Sequence, residues 1–552
     1  MCSSRRAACR AIWRSSTRPI SDRGTHVRAQ DAWAAFATSA EPFRDAWLAA
    51  LDAPADTQAA YLARLLAANR NTALGVANGF ADIANPAQFR ERVPATTYAG
   101  MRPWIDRALR ESGPILTSQP PRFFERTSGS SERQKLIPYT PAFLEELQSA
   151  LVVWLADLYR EVPGVAAGRA YWSMSPPMQA RERAANSIMI GSESDLDYLA
   201  GSPLVGLLPT LVAPSLSGDR DAWRNETLRA LIAADDLAFI SVWSPTFLTS
   251  LLRPLFDDTE PRRGDTLAFL FDALPSARAA ALRRALDDGH CGPLWPRLAA
   301  LSCWMDGPSR RYAAHARTLF PQAAWLPKGL FSTEAVVSLP FGNDAGCPLA
   351  IRSHYLEFLL DDGSVVGVEG LMPGDTAEVI VTTGGGLYRY RLGDRVRVTG
   401  YAGRTPRVVF VGRTGAQSDL VGEKLDEACL AASLSEALQP GDEGCVIPCA
   451  DTDPPHYMLV LASDARDVAG VRDALEQALA RAFHYRHARA LGQLGPLRAA
   501  RVPGGAAHLA DLVQRAHEHA GIRAGDVKPR ALIGRVAVAH ALRAFIEDEW
   551  SC

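Results

Sequence analysis

The stretch Thr127-Ser-Gly-Ser-Ser-Glu-Arg-Gln-Lys135 lies between the apolar pair Phe123-Phe124 and the residues Leu136-Ile-Pro138. Small hydroxyl residues around one glycine, followed by a lysine, suit a loop that wraps an anionic group. Gly129 lets the backbone come close to a ligand, while the hydroxyls and amides donate hydrogen bonds and Lys135 adds a mobile positive charge. The stretch differs from the P-loop pattern. Taken alone, it fits a polar surface turn better than a phosphate site.

Two further stretches agree with a phosphate site. They are Ser332-Thr333-Glu334 and Thr383-Gly-Gly-Gly-Leu-Tyr-Arg-Tyr-Arg-Leu-Gly-Asp-Arg-Val-Arg-Val-Thr-Gly400. With the loop, they resemble the Gretchen Hagen family of auxin-responsive acyl-acid amido synthetases, which belongs to the adenylate-forming enzymes. The motifs occur in the family's order, and the resemblance extends from Gln58 to Arg530.

Composition places the chain among soluble globular proteins with more than one core. The chain has 552 residues, of which 47% are hydrophobic and 22% are charged, and this length exceeds one ordinary core. A net charge of −2 argues against a nucleic-acid partner, and no apolar run is long enough to cross a bilayer. The nine scattered cysteines form neither a zinc pattern nor a disulfide framework, so we expect reduced thiols in a cytoplasmic protein.

The first thirty residues are rich in arginine and contain a single acid, Asp22. This composition occurs in disordered tails and in organelle transit peptides, whereas the segment lacks the apolar centre of a secretory signal. We favour a disordered tail over residues 1–30, or a start codon assigned too far upstream, and keep a transit peptide as the alternative.

The fold class predicted is α/β, of the mixed α+β kind. Residues 31–412 are expected to form a large N-terminal adenylating domain with sheets, helices and a strand-rich, barrel-like part. From Arg413 helices and strands alternate again, which predicts a small C-terminal α/β domain over residues 413–552, joined by a hinge. In the large domain, Pro42 is expected to break a helix, and Gly393-Asp394 to form a turn between two strands.

The resemblance assigns the triphosphate and the metal to separate motifs. It implies that the loop grips the triphosphate through Thr127, Ser128, Gly129, Ser130, Ser131 and Lys135. This sequence lacks one residue and the second glycine that the plant form has before the lysine. The resemblance also implies that Ser332 and Thr333 lie near the α-phosphate or the acyl carboxylate, and that Glu334 helps to hold Mg²⁺.

The remaining roles implied by the resemblance concern the ribose and the small domain. Asp394 would accept hydrogen bonds from both ribose hydroxyls. Arg413 would be the first residue of the hinge motif and would also touch the ribose. Lys528 is the candidate for the C-terminal lysine that stabilises charge during adenylation. Lys424 is the candidate for a phosphate contact.

Aromatic residues near two predicted strand ends are candidates for an acyl pocket. The segments Tyr171 to Pro177 and Phe239 to Pro245 both pass from strand to a Ser-Pro turn, as at a sheet edge that faces a ligand. Trp172, Trp243 and Phe247 could line that pocket, although a core position is the commoner role for each. The helix from Ala142 to Tyr159 is expected to direct its positive end at phosphate.

The resemblance implies an ATP- and magnesium-dependent ligase. It would activate a small carboxylic acid as an acyl adenylate and transfer the acyl group to an amino acid, with the small domain rotating about Arg413 between the steps. One alternative is a coenzyme A ligase that uses the same adenylate. Another is a nucleotide-binding homologue without catalysis, because the loop lacks a glycine and Leu330 replaces the usual adenine-stacking aromatic. The motifs leave the acid, the amine and the oligomeric state open.

Overall fold

A computed structural model of the chain describes thirteen segments of it. They are residues 22–127, 135–172, 182–191, 208, 210–211, 220–258, 260–307, 309–342, 344–414, 417–439, 441–462, 467–522 and 524–550. We call residues 22–412 the large lobe and residues 413–550 the small lobe.

The helices of the large lobe occur between Asp22 and Leu319. They are α1 (Asp22–Leu51), α2 (Pro54–Asn69), α3 (Ala73–Ala77), α4 (Pro86–Arg92), α5 (Tyr98–Arg110), α6 (Pro141–Glu161), α7 (Arg220–Ala233), α8 (Pro245–Phe256), α9 (Arg263–Ala273), α10 (Ser276–Asp288) and α11 (Ser309–Leu319). Threonine and serine caps define the starts of α6 and α8. Thr140 accepts a hydrogen bond from the Phe143 amide before α6, and Ser244 accepts one from the Thr246 amide before α8.

The strands of the large lobe form three sheets. They are β1 (Phe123–Arg126), β2 (Leu136–Tyr139), β3 (Arg169–Trp172), β4 (Glu182–Arg183), β5 (Met189–Ile190), β6 (Thr210–Leu211), β7 (Leu237–Ser241), β8 (Ala300–Cys303), β9 (Ala324–Pro327), β10 (Cys347–Pro348), β11 (Tyr355–Leu360), β12 (Val365–Gly367), β13 (Thr376–Thr382), β14 (Tyr390–Ala402) and β15 (Thr405–Arg413). A parallel sheet has the order β6-β3-β7-β8-β9. The small mixed sheet β2-β1-β5-β4 contains the antiparallel pair β1 and β2, which flank the hydroxyl loop in the sequence.

The strand-rich part of the large lobe is a six-stranded antiparallel sheet of order β10-β15-β14-β13-β11-β12. The prediction of a turn at Gly393-Asp394 is wrong, because β14 runs continuously through both residues. The register with β13 instead jumps between Glu378 and Ile380, which face Arg395 and Arg391. The extra residues form a bulge in which Gly393 has a φ of +78°, a conformation that favours glycine.

The small lobe is an α/β unit that begins at the end of β15. Its elements are β16 (Gln417–Ser418), β17 (Leu425–Asp426), α12 (Glu427–Ala437), β18 (Glu443–Cys449), β19 (His456–Ala462), α13 (Val468–Leu479), α14 (Phe483–Ala490), β20 (Arg498–Val502), α15 (Gly505–His519) and α16 (Val536–Trp550). Its main sheet has the order β18-β19-β20, with an antiparallel and then a parallel pair. Apolar clusters fill both faces of this sheet.

Helix α1 differs from two sequence-based expectations, the disordered tail over residues 1–30 and the helix break at Pro42. It begins at Asp22, inside the segment assigned to the tail, and it continues through Pro42 to Leu51. Trp33, Phe36 and Trp47 are each at most 1% exposed. The free energy gained by burying these aromatic side chains exceeds the cost of the backbone hydrogen bond that a proline removes from a helix interior.

Two global properties concern the described residues as a group. None of their helices has the length and apolar character required to traverse a bilayer. Their six cysteines are free thiols, and all except Cys429 are buried.

Candidate nucleotide site between the lobes

A cavity of about 140 Å³ lies where the large and small lobes meet. We call it the crevice. The large lobe contributes Thr127, Lys135, Tyr139, Leu147, Trp243, Trp304, Phe331, Ser332, Thr333, Glu334 and Asp394, and the small lobe contributes Arg413, His517, Ile522, Asp526, Lys528 and Arg530. A second cavity of about 80 Å³ shares Trp304, Phe331, Arg413, Lys528 and Arg530 with it. Segments far apart in sequence therefore converge here.

Asp394 is the most enclosed carboxylate of the crevice. Its residue is 2% exposed, and the bulge in β14 aims it at the cavity. Arg413 Nε lies 2.9 Å from Asp394 Oδ1 and forms an ion pair with it. Among the described residues, Oδ1 has no partner in hydrogen-bond geometry. The carboxylate raises the pKa of Arg413. Asp394 is thus a buried acceptor that is held in place and still has capacity for donors.

Lys135 and Glu334 face each other across the crevice. Lys135 Nζ lies 3.9 Å from Glu334 Oε1 and donates a hydrogen bond of 3.1 Å to the Tyr390 hydroxyl. Burial lowers the pKa of Lys135, and the charge of Glu334 partly offsets that effect. The structure therefore brings the loop lysine and the acid of the Ser-Thr-Glu motif together, while their roles towards phosphate and metal stay predictions.

Ser332 and Thr333 line the crevice through a tight local turn. The Ala335 amide donates to Ser332 Oγ at 3.1 Å, and the Tyr139 hydroxyl donates to the Thr333 carbonyl at 3.0 Å. These contacts fix the backbone in front of Glu334. The predicted approach of either hydroxyl to an α-phosphate stays a prediction.

The two described ends of the hydroxyl loop, Thr127 and Lys135, lie at the edge of the crevice. The Thr127 amide donates to the Lys135 carbonyl at 3.0 Å, and both residues line the cavity. Ser128, Gly129, Ser130 and Ser131 lie outside the described residues. Their assignment to the triphosphate stays a prediction. The positions of Thr127 and Lys135 at the crevice agree with it.

Lys528 approaches the crevice from the small lobe. Its Nζ lies 5.3 Å from the centre of the Trp304 ring, and burial lowers its pKa, with an opposing contribution from Asp394. Arg530 follows on the same segment, 3.5 Å from Glu427 Oε2. Burial also lowers the pKa of Arg530. Three cations, Lys528, Arg530 and Arg413, thus surround one cavity, which favours an anionic ligand.

Lys424 lies elsewhere. Its side chain is 60% exposed, and its Nζ lies 3.2 Å from Asp419 Oδ2 at the surface of the small lobe. In this arrangement of the lobes it does not border the crevice. A phosphate contact by Lys424 would need a different orientation of the small lobe, and that role stays a prediction.

Several crevice residues had no assigned role in the sequence analysis. Arg530 stood inside a quoted motif, and its charge next to Lys528 was the available signal. No sequence motif pointed to His517. Its side chain reaches the crevice only because of the course that α15 takes in the fold. Its Nδ1 donates to the Val513 carbonyl at 2.7 Å, and burial lowers its pKa to about 4.

The three acyl-pocket aromatics separate in the structure. Trp243 lines the crevice and lies 6.2 Å from Phe331, centre to centre. Trp172 packs edge-on against Trp154 at 5.9 Å. Phe247 is 1% exposed in the core beneath the parallel sheet, so the core interpretation holds for it.

A larger cavity of about 920 Å³ lies on the other face of α6. The first turn of α6 borders that cavity rather than the crevice, to which the helix contributes Leu147. The N-terminal end of this helix thus borders a cavity other than the crevice, and its predicted approach to phosphate stays a prediction. Thr140 Oγ1 donates to the Gly384 carbonyl at 2.7 Å and ties the helix start to the connection that follows β13.

Hard oxygen ligands are available in the crevice. Glu334, which is 6% exposed, and Asp394 both border it, and the described residues contain no cluster of three His, Cys, Asp or Glu side chains. Magnesium commonly takes one or two protein carboxylates and completes its shell with phosphate oxygens and water. The donor set around Glu334 fits such a shared site.

Two family models match this chain. The model described as the GH3 family N-terminal domain matches residues 46–260, and the GH3 family central domain matches residues 347–413. The matched segments span 282 of the 552 residues. They include the hydroxyl loop, β14 with Asp394, and Arg413.

Similar proteins extend the match to most of the chain. Indole-3-acetic acid-amido synthetase GH3.8 from Oryza sativa subsp. indica is 26% identical over 552 residues, which cover 87% of this chain and 88% of that protein. The structure of GH3.15 acyl acid amido synthetase has a TM-score of 0.75 at 20% identity, and covers 90% of this chain and 95% of its own. A 2-hydroxyisobutyryl-CoA ligase in the postadenylation state has a TM-score of 0.50 at 12% identity, with 92% of each chain covered. Both structures share the fold of this chain.

Proposed function

Because the chain belongs to the GH3 (Gretchen Hagen) family, we propose that it is an ATP-dependent acid–amino acid ligase. It activates a small carboxylic acid as an acyl adenylate and transfers the acyl group to the amine of an amino acid. The curated relative is named for the same kind of reaction on indole-3-acetic acid.

The first step forms an acid–phosphate bond. An oxygen of the substrate carboxylate attacks the α-phosphorus of ATP, and pyrophosphate leaves with the electron pair of the broken bond. Negative charge builds up between the reacting groups, and preorganised cations stabilise that charge. Lys528 from the small lobe and Lys135 from the hairpin flank the crevice where it would develop.

The nucleoside is held by the bulge of β14. Asp394 accepts hydrogen bonds from the ribose hydroxyls, and Arg413 keeps its carboxylate in position from 2.9 Å away. A carboxylate that is already buried and paired pays little further ordering cost when a diol binds. The crevice residues therefore hold ATP by a fixed acceptor at the ribose and by mobile cations at the phosphates.

Glu334 is the residue that would hold magnesium together with phosphate oxygens. When bound, the ion supplies charge neutralisation for the triphosphate and the leaving pyrophosphate. The ammonium group of Lys135, which lies 3.9 Å from Glu334 in this structure, would then contact the phosphates.

The second step is attack of the neutral amine on the acyl carbon. The carbon–nitrogen bond forms, the bond to the AMP oxygen breaks, and the amine loses a proton to solvent or to a nearby base. Withdrawal of Lys528 with the small lobe opens a path for the amine, as in other enzymes that close and reopen during turnover.

The convergence of Asp394, Glu334 and Lys528 on one crevice is the observation that carries this proposal. It joins three motifs that are separated by 60 and 134 residues of sequence. Each side chain alone would be an ordinary polar group, whereas together they supply a diol acceptor, a metal ligand and a mobile cation.

An exchange assay tests adenylation directly. Purified protein is mixed with ATP, radioactive pyrophosphate and a panel of aryl, alkyl and hydroxy acids, and label in ATP reports reversible adenylate formation. Acid-dependent exchange is the expected result. No exchange with any acid of the panel, from folded protein that also fails to bind ATP, contradicts the proposal.

The acceptor is then identified by competition. Each acid that supports exchange is incubated with a mixture of the twenty amino acids or with coenzyme A, and the products are separated by mass. We expect an amide with at least one amino acid. Formation of a thioester alone would assign the enzyme to the coenzyme A ligases instead.

A further inference from the structure

Helix α8 of the large lobe contacts helix α15 of the small lobe through a buried polar cluster. Asp511 on α15 accepts a hydrogen bond of 2.9 Å from Ser250 Oγ and lies 3.1 Å from Arg253 Nη1, both on α8. His508, one turn before Asp511, also contacts the Arg253 guanidinium. We call Ser250, Arg253, His508 and Asp511 the interlobe clamp.

The clamp is deeply enclosed and anchored in the large lobe. The side chains of Arg253 and Asp511 are 1% and 4% exposed. Arg253 also lies 2.8 Å from Asp257 and 3.2 Å from Glu260, which belong to its own lobe. Separation of the lobes would remove Asp511 from Arg253. Breaking a buried ion pair in this way costs stability.

The clamp connects directly to the segment that carries Lys528. Helix α15 ends at His519, and His517 on its last turn already borders the crevice. Asp526 and Lys528 follow within a few residues and line the same cavity. The placement of α15 on α8 therefore determines how far Lys528 reaches towards Asp394 and Glu334.

We propose that Arg253 and Asp511 are positioning residues that hold Lys528 in the crevice and so select the lobe arrangement used for adenylation. Release of the clamp permits the lobe rotation that the amine step requires. The placement of Lys528 stands on the geometry alone, whereas its effect on the two half-reactions rests on the proposed function.

Chemical labelling of lysines tests the placement without any substrate. Folded protein is treated briefly with acetic anhydride, and acetylation of Lys528 is measured by peptide mass spectrometry relative to that of Lys424, which is exposed in the small lobe. In Asp511→Asn we expect the Lys528 to Lys424 ratio to rise about tenfold, the equilibrium change that ~1.4 kcal/mol produces. An unchanged ratio in folded Asp511→Asn overturns the proposal.

Matched variants separate the clamp from general destabilisation. Asp451→Asn removes an ion pair with Arg543 that lies wholly within the small lobe, and it should leave the labelling ratio unchanged. Ser250→Ala changes the clamp from the large-lobe side and serves if Asp511→Asn fails to fold. Asp511→Glu keeps the charge and should restore part of the wild-type ratio.

The half-reactions distinguish positioning from a structural role. In Asp511→Asn, pyrophosphate exchange should fall about tenfold, while transfer from a supplied acyl adenylate to the amine should persist. An equal fall in both rates would reduce the clamp to a structural contact and overturn its positioning role. Absence of exchange in the wild-type protein would count against the proposed function, while the labelling result would still decide the placement of Lys528.

Discussion

Asp394→Asn tests the nucleotide site at its most enclosed residue. Asp394 is 2% exposed, its Oδ1 has no hydrogen-bond partner among the described residues, and Arg413 Nε lies 2.9 Å away. Hydrogen bonds to a charged acceptor contribute about 1.5–3 kcal/mol each. Asparagine keeps one acceptor oxygen and loses the charge, so ATP binding should weaken by about 2–3 kcal/mol, or roughly 30- to 150-fold.

Calorimetric titration with ATP measures the change, and the ATP KM in the exchange assay provides a second reading. Asp361→Asn is the matched control, because it removes an exposed ion pair to Arg395, which follows Asp394 in β14. That control should bind ATP normally. If folded Asp394→Asn bound ATP as tightly as the wild-type protein, the ribose assignment would be refuted.

Three other substitutions probe separate parts of the account. Lys528→Ala should lower pyrophosphate exchange by about a hundredfold and spare transfer from a supplied adenylate; equal losses would contradict its role in adenylation. Glu334→Gln should raise the magnesium concentration for half-maximal exchange by about tenfold, and an unchanged requirement would remove Glu334 as a metal ligand. Burial raises the pKa of Glu443 to about 7, so the folded chain holds a proton that the unfolded chain releases at lower pH. Stability should therefore fall as the pH rises from about 5 to about 7, by at most about 3 kcal/mol; urea unfolding of Glu443→Gln should show that fall reduced, and an unaltered pH dependence would contradict it.

The features that could be predicted are those encoded in short stretches of sequence. The hydroxyl loop, the Ser-Thr-Glu motif and Asp394 each lie within a few residues of sequence and could be recognised locally, and the resemblance to the family implied that they form one site. The structure places Thr127, Lys135, Glu334, Asp394 and Lys528 around one crevice. The fold class followed in the same way, because strand-rich and helix-rich stretches alternate visibly.

Features that depend on distant partners escaped prediction. The bulge at Asp394 is defined by the register with Glu378 and Ile380 on another strand, which no local pattern encodes. Helix α1 passes Pro42 because its apolar face is buried by other helices. The clamp at Asp511 needs two helices that lie more than 250 residues apart in sequence, and single charges in amphipathic helices carry no sign of such a contact.

The position of bound AMP tests the central claim most directly. A crystal structure of the protein with AMP should show the ribose hydroxyls within hydrogen-bond distance of Asp394 and the phosphate between Lys135 and Lys528. AMP bound in another cavity, such as the one beside α6, or a ribose turned away from Asp394, would contradict the account.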